Sequence, residues 1–358
     1  MLTRKNILKI KPYIPGKPIE EHKRELCLKS AIKLASNENA LGPSVKAVQA
    51  IKAAVGQINR YPDGDCFYLK KKLARKLKLR PENLVFGCGS DEIIILAIRA
   101  FVEPSDEVVI ADPTFLIYQL ASAICGAKTK LVPLKDFRYD LRAMKKAISP
   151  KTKMVFIANP DNPCGTYVSK KEVAEFMRGL PKKVIVYFDE AYYELVVKKD
   201  FPDTLKYLNS RNVIVARTFS KAYGLSGLRI GYGIAKPEII DYLNRVREPF
   251  NVNSLAQVGA LAALDDAAHL RRTRKLLGEG KAYLYKNLQK LRLSFVKSAT
   301  NFILINAGQQ AQGIYRKLLK KGVIVRNMRA WGMNNFIRVT VGTMPENRRF
   351  IKALKEII

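Results

Sequence analysis

Histidine is nearly missing from this 358-residue chain: His22 and His269 stand alone and far apart. A histidine-based triad or a histidine-rich metal site therefore has almost no material, and both residues are expected at the surface. The five cysteines (Cys27, Cys66, Cys88, Cys125, Cys164) are odd in number, scattered, and form no CxxC pair. That argues against a disulfide framework and against a zinc site. No apolar run approaches the roughly 18–20 residues that span a bilayer. The first residues, MLTRKNILKIKPYIPGKP, are basic but lack a continuous apolar stretch and a small-residue cleavage site. A cytoplasmic location, with no membrane association, is the expectation.

Acidic residues are also scarce, 31 against 64 Lys and Arg, for a formal net charge of +33. Such an excess can serve nucleic acid, a membrane surface or anionic small molecules. Here it is spread along the chain. The densest stretch, FYLKKKLARKLKLRPENL (67–84), places Leu69, Leu73 and Leu77 four residues apart, the apolar stripe of a helix with a solvated lysine face. No nucleic-acid motif and no basic strand interleaved with aromatics accompanies it. A basic surface, with modest steering of phosphorylated substrates, accounts for the charge.

Hydrophobic residues make up 48% and charged residues 27%, enough to bury a large core, and the length calls for two domains. Between residues 84 and 235, seven β-rich runs alternate with helical stretches: 83–87, 106–111, 129–134, 152–158, 183–189, 212–217 and 229–234. Intervening segments such as SDEIIILAIRAFV (90–102), DLRAMKKAI (140–148) and SKKEVAEFMRGL (169–180) carry helical periodicity. Strands alternating with helices mean crossover connections and a mainly parallel, buried sheet. After about residue 250 a long helical region (254–292) gives way to FVKSATNFILINA, a helix around 310–321, GVIVRNM and NNFIRVTVG. That texture suits a smaller α+β domain with short antiparallel strands.

The segment richest in chemistry is TFSKAYGLSGLRIGY (218–232). Lys221 stands just past a strand among small residues, which suits a partly buried amine. Burial disfavours the charged ammonium and lowers its pKa. The neutral amine is the form that makes a Schiff base with an aldehyde. Thr218, Ser220 and Arg229 would give hydrogen-bond donors to a phosphate, the guanidinium as a bidentate clamp.

This segment closely resembles the cofactor-lysine signature of the class I and II aminotransferases, and among them the histidinol-phosphate aminotransferases. The resemblance extends over nearly the whole chain. It implies an α/β enzyme of the type I pyridoxal-phosphate fold: a large domain with a mainly parallel, mixed seven-stranded sheet flanked by helices, plus a smaller α+β domain. Residues 36–250 would form the large cofactor-binding domain, and 1–35 with 251–358 the small one. The implied cofactor is pyridoxal 5′-phosphate, held as a Schiff base on Lys221.

Other motifs fall into the same frame. ANPDNPCGT (158–166) resembles the family's NPxNPTG loop, in which Asn162 would hydrogen-bond the cofactor's phenolic oxygen; Cys164 stands where threonine is usual. YFDEAY (187–192) resembles the strand end that carries Asp189, the carboxylate for the protonated pyridine nitrogen, and Tyr192, a second donor to the phenolic oxygen. An anion there keeps the ring protonated and able to accept electrons. FGCGSDE (86–92) resembles a phosphate-cradling turn, with Gly89, Ser90 and Asp91 at a helix N-terminus and Cys88 where asparagine is frequent. DPTFLIY (112–118) matches the stretch whose aromatic stacks on the ring, Phe115 with Tyr118 as the alternative. Ser90, Phe115, Asn162, Asp189 and Lys221 all fall at or beyond the carboxyl ends of expected strands, where open parallel sheets bind ligands.

For the substrate, RYPDG (60–64) resembles the loop whose tyrosine, Tyr61, reaches the phosphate of a neighbouring subunit, which implies a homodimer. LASNENALGPS (34–44) resembles the substrate loop of the histidinol-phosphate enzymes, with Asn39 a substrate contact and Ala40 replacing a proline. Arg338 in NNFIRVTVGT and Arg326 in GVIVRNM match anion-binding arginines, and the pair suits a dianionic phosphate. The implied reaction is ping-pong transfer of an amino group between L-histidinol phosphate and 2-oxoglutarate, giving imidazole acetol phosphate and L-glutamate, a step of histidine biosynthesis. An aromatic or other amino acid aminotransferase, and a threonine-phosphate decarboxylase, are the alternatives on the same fold.

Overall fold

In the computed structural model, residues 2–10, 12, 19–25 and 27–358 are described. Eleven strands are found among them, in chain order β1 (Ile32–Leu34), β2 (Leu84–Gly87), β3 (Glu107–Asp112), β4 (Lys128–Pro133), β5 (Thr152–Ala158), β6 (Ile185–Asp189), β7 (Val213–Thr218), β8 (Gly231–Ala235), β9 (Phe302–Asn306), β10 (Val323–Asn327) and β11 (Phe336–Thr340). The seven runs expected from the sequence are β2 to β8, each within two residues of its expected bounds. They form one sheet in the order β2-β8-β7-β6-β5-β3-β4. Only β8 runs antiparallel to its neighbours, β2 and β7; the pairs among β3, β4, β5, β6 and β7 are parallel. β5, β6 and β7 are buried at nearly every position, so they read as continuous apolar runs rather than alternating ones.

The helices between the strands begin and end where their sequences cap them. Ser169 accepts from the Glu172 amide while Glu172 reaches back to the Ser169 amide, a capping box at the start of Lys170–Met177. Asp140 caps Leu141–Lys146 through the Ala143 amide. The lysine-rich helix runs Phe67–Leu77 and buries Leu69, Leu73 and Ala74. At its end Lys78 takes the left-handed conformation that closes the last turn.

A second sheet has the order β1-β10-β11-β9. β1 pairs in parallel with β10 and so brings the N-terminal segment onto the C-terminal sheet. The expected long helical region is two helices, Ser254–Ala263 and Ala267–Lys290. The first packs against Val45–Ala54 and Phe67–Leu77. The second buries His269, Thr273, Leu277, Gly280, Leu284 and Leu288 along one stripe. That stripe corrects the expectation of a surface histidine: His269 is 3% exposed because it occupies a core position of the helical repeat. The side chain of His22 lies outside the described residues. No helix among the described residues is long and apolar enough to cross a membrane.

Candidate active site

A cavity of about 280 Å³ opens at the carboxyl ends of β2, β3, β5, β6 and β7 and is closed from the other side by the second sheet. Of the residues singled out in the sequence, Ser90, Asp91, Phe115, Asn162, Asp189, Tyr192, Thr218, Ser220, Lys221, Arg229, Arg326 and Arg338 line it. Those of the large sheet converge because its parallel strands end on the same edge and hand their side chains to one crevice; Arg326 and Arg338 enter from β10 and β11 of the second sheet.

The floor is Asp189, the last residue of β6, 6% exposed. Its Oδ2 accepts from the Tyr118 hydroxyl at 2.6 Å and its Oδ1 from the Ala191 amide at 3.0 Å. Burial pushes this carboxyl up to about 6, while the Tyr118 hydrogen bond and then the Ala191 amide pull it down. A cationic N–H above it would supply the countercharge that burial removes.

Lys221 follows β7. Burial first, then the positive charge of Arg338, lower its amine to about 8. Its Nζ makes a long contact, 3.5 Å, to the Ser36 carbonyl and lies 5.9 Å from the Tyr192 ring centroid. An amine so placed has a large neutral fraction near pH 8 and is free to attack a carbonyl carbon.

Opposite the lysine, Ser90 opens the helix Ser90–Phe101, with Asp91 and Glu92 in its first turn. Gly231 lies hard against this turn: a Cβ there would come within 2.4 Å of the Ser90 amide nitrogen. Gly89, at φ +79, is similarly close-packed, its notional Cβ 2.5 Å from Nη2 of Arg229. Arg229, itself in the left-handed region at φ 54, donates to the Ser226 carbonyl at 3.1 Å and lies 3.5 Å from Asp91 Oδ2. Helix amides, the hydroxyls of Ser90, Thr218 and Ser220, and this guanidinium make a donor set fit for a phosphate.

The side wall carries Asn162, whose Oδ1 accepts from Arg338 Nη1. Arg338 also donates to the Ala35 carbonyl at 3.2 Å. The Asn162 loop is anchored by Asp161, fully enclosed, which accepts from Thr114 Oγ1 at 2.9 Å and from the Cys164 amide at 3.1 Å. Burial pushes Asp161 up to about 7. Cys164 is completely buried in a small cluster with Leu304, Met328 and Trp331, and its thiol also hydrogen-bonds the Asp161 carboxylate. Phe115 faces the cavity, half-buried, whereas Tyr118 lies fully buried beneath it, stacked on Phe156 at 4.7 Å.

Two residues stand elsewhere. Asn39 does not line the cavity; its amide donates to the Ala222 carbonyl at 2.9 Å and to Thr273 Oγ1 at 3.1 Å, tying its loop to the turn after Lys221. Tyr61 is 83% exposed and stacks on Phe250 at 4.8 Å, away from the cavity of its own chain.

Several contributors went unnoticed in the sequence. Asn37 donates to the Tyr192 hydroxyl at 2.9 Å, and Trp331 lines the cavity beside the arginines. Asn37 lies within the LASNENALGPS motif, a signal that was available. Behind the site, Glu190 and Arg217 continue β6 and β7 with an ion pair at 2.8 Å, both side chains buried. The Arg217 guanidinium carbon lies 3.4 Å from the Tyr193 ring centroid.

Residues 29–354 match the family model for aminotransferase class I and II. A histidinol-phosphate aminotransferase of Moorella thermoacetica is 51% identical over 99% of this chain and 92% of its own length. One of Caldicellulosiruptor saccharolyticus is 45% identical over the full length of both chains. Among solved structures, histidinol-phosphate aminotransferase from Sinorhizobium meliloti, in complex with pyridoxal 5′-phosphate, superimposes with a TM-score of 0.92 at 29% identity, covering 99% of this chain and 97% of that one. With fold, cavity and full-length similarity in agreement, this chain belongs to the class I and II aminotransferases and, within them, to the histidinol-phosphate aminotransferases.

Proposed function

We propose that the chain transfers an amino group between L-histidinol phosphate and 2-oxoglutarate, yielding imidazole acetol phosphate and L-glutamate, with pyridoxal 5′-phosphate as cofactor. The observation that carries the reading is the single cavity in which a depressed-pKa lysine, a buried carboxylate, a phosphate-donor set and two arginines face one another. The residues fit the cofactor: Gly89 and Gly231 leave the close approach a phosphate cradle requires, and Asp189 supplies a buried anion for a pyridinium.

When bound, the cofactor supplies an electron sink for the charge left on the substrate's Cα. The chain's own residues do the rest. Arg229, Ser90, Thr218 and Ser220 hold the phosphate, with the helix amides at Gly89, Ser90 and Asp91. Asp189 keeps the ring nitrogen protonated, oriented by Tyr118. Asn162 and Tyr192 would donate to the phenolic oxygen, and Phe115 would offer an aromatic face to the ring. Lys221 would hold the cofactor, and its neutral Nζ, when not so engaged, would serve as the general base and acid that moves the substrate's Cα proton. Arg326 and Arg338 receive the substrate phosphate, or the carboxylates of glutamate. The Asn162 contact of Arg338 holds that guanidinium until an anion arrives.

The active unit is taken as a homodimer in the cytoplasm. Exposed Val45, Val55, Ile58, Tyr61, Phe67 and Phe250 favour a second copy, which would bring Tyr61 to a neighbouring phosphate site. Residues 36–250 would form the cofactor lobe, with 1–35 and 251–358 the smaller one.

The test is spectroscopic. Purified protein loaded with pyridoxal phosphate should lose its visible absorbance on addition of L-histidinol phosphate and regain it with 2-oxoglutarate. Lys221→Ala should abolish turnover in a folded protein. An absorbance untouched by histidinol phosphate but bleached by phenylalanine or threonine phosphate would move the substrate to one of the alternatives.

A further inference from the structure

β10 and β11 set Arg326 and Arg338 directly opposite each other as register partners. Directly opposed side chains on antiparallel strands have Cβ atoms about 5 Å apart, and like charges in that position repel. What stands beside both guanidiniums is Trp331, the single tryptophan of the chain. It ends the turn Arg329–Trp331 between the two strands. Its ring centroid lies 5.3 Å from the guanidinium carbon of Arg326 and 5.6 Å from that of Arg338. An indole face is the strongest of the aromatic partners for a cation, and a partly desolvated one gains most from it.

The ring is not free to drift. Its Nε1–H donates to the Thr114 carbonyl at 2.8 Å, and the side chain is 7% exposed against Cys164, Leu304 and Met328. Thr114 directly precedes Phe115 and, through its hydroxyl, bonds Asp161 of the Asn162 loop. One indole therefore links the sheet that carries both arginines to the loops that carry Phe115 and Asn162.

We propose that Trp331 is the positioning residue of the substrate's anion site: its face holds Arg326 and Arg338 as one fork, pointed at the phosphate, and its N–H sets that fork at a constant distance from the cofactor side. The inference rests on the reading that these two arginines receive the substrate's phosphate. With the fork held in place, the anion meets two guanidiniums already converged on it. Without the indole Arg326 would lose the face that turns it toward Arg338, which Asn162, the Ala35 carbonyl and the Phe302 ring still hold, and part of the anion's binding would go into bringing the two together.

The test uses the holoenzyme, in which the cofactor's own phosphate site is filled, and glycerol phosphate, a phosphomonoester without an amine, as the probe. Binding is measured by calorimetry. Trp331→Leu should weaken it about 10-fold, the worth of two modest cation–π contacts. Trp331→Phe, which keeps an aromatic face, should stay within about 3-fold of the parent protein. In turnover with histidinol phosphate the loss in Trp331→Leu should appear in KM rather than in kcat, which general misfolding would not produce. If Trp331→Leu does not fold, Trp331→Met, unbranched and flexible enough to reach further into the space the indole leaves, also lacks a π face and should show the same weakening. Emission of the parent's only tryptophan should also change on saturation with glycerol phosphate. Equal binding in the Leu, Phe and parent proteins, or emission unmoved at saturation, overturns the role of Trp331. Unchanged binding in Arg326→Gln overturns instead the reading beneath it.

Discussion

Removing one oxygen from the Tyr118 side chain should extend the pH dependence of the cofactor-free protein's stability to higher pH. Asp189 has its folded pKa raised to about 6 from an ordinary 3.8, with burial the first cause. A carboxyl raised in this way favours folding fully below its unfolded value and loses that contribution as pH climbs through the folded one. The shift corresponds to roughly 3 kcal/mol lost between about pH 4 and pH 6. The Tyr118 hydroxyl limits that loss by donating to Oδ2 at 2.6 Å. A hydrogen bond to a charged group contributes about 1.5–3 kcal/mol, so Tyr118→Phe should raise Asp189 by a further 1–2 pKa units, roughly. Below about pH 5 the carboxyl is protonated in both folded proteins and the variant should cost little beyond its lost neutral hydrogen bond. Above about pH 8 it is ionised in both, and the cost should reach about 1.5–3 kcal/mol. Urea denaturation of the cofactor-free pair at pH 5, 6.5 and 8 gives the curve. A stability difference that is the same at all three values would refute the coupling between this hydroxyl and the charge on Asp189.

Other outcomes follow from the same geometry. Glu190→Gln removes the carboxylate 2.8 Å from buried Arg217, leaves Glu194 as its nearby counter-charge, and should cost up to about 3–5 kcal/mol in urea denaturation; a loss under about 1 kcal/mol would show that Glu194 and the Tyr193 ring suffice. Gly231→Ala places a methyl 2.4 Å from the Ser90 nitrogen and 2.6 Å from the Gly89 carbonyl carbon. Backbone must then shift, at about 1–3 kcal/mol, and absorbance titration should show pyridoxal phosphate bound at least about 10-fold more weakly. Because Lys221 is lowered to about 8, the rate of pyridoxal phosphate uptake should rise with pH and reach half its plateau near 8; a midpoint near the ordinary lysine value would place the amine in water.

What sequence alone determined here is whatever depends on neighbours along the chain. The seven strands of the large sheet are legible because each is a short β-rich run closed by turn residues. Lys221, Asp189, Asn162 and Ser90 are legible for the same reason, since each sits within a few residues of a strand end and every such end faces one edge. Arg338 follows no such rule: it stands in the middle of β11, an antiparallel strand of the second sheet. The tertiary structure decided everything that depends on partners far apart in the chain. Tyr118 meets Asp189 across 71 residues, and Trp331 meets Thr114 across 217. No local pattern announces either bond, because a tyrosine or tryptophan in an apolar context reads as core whichever way its polar atom points. Asn39 shows the converse: its motif suggested a substrate contact, yet folding turns its amide onto Ala222 and Thr273. His269, polar and isolated in the sequence, was buried by the stripe of the helix on which it lies. Local sequence chooses the element and its end; packing between elements chooses which polar atoms remain for chemistry.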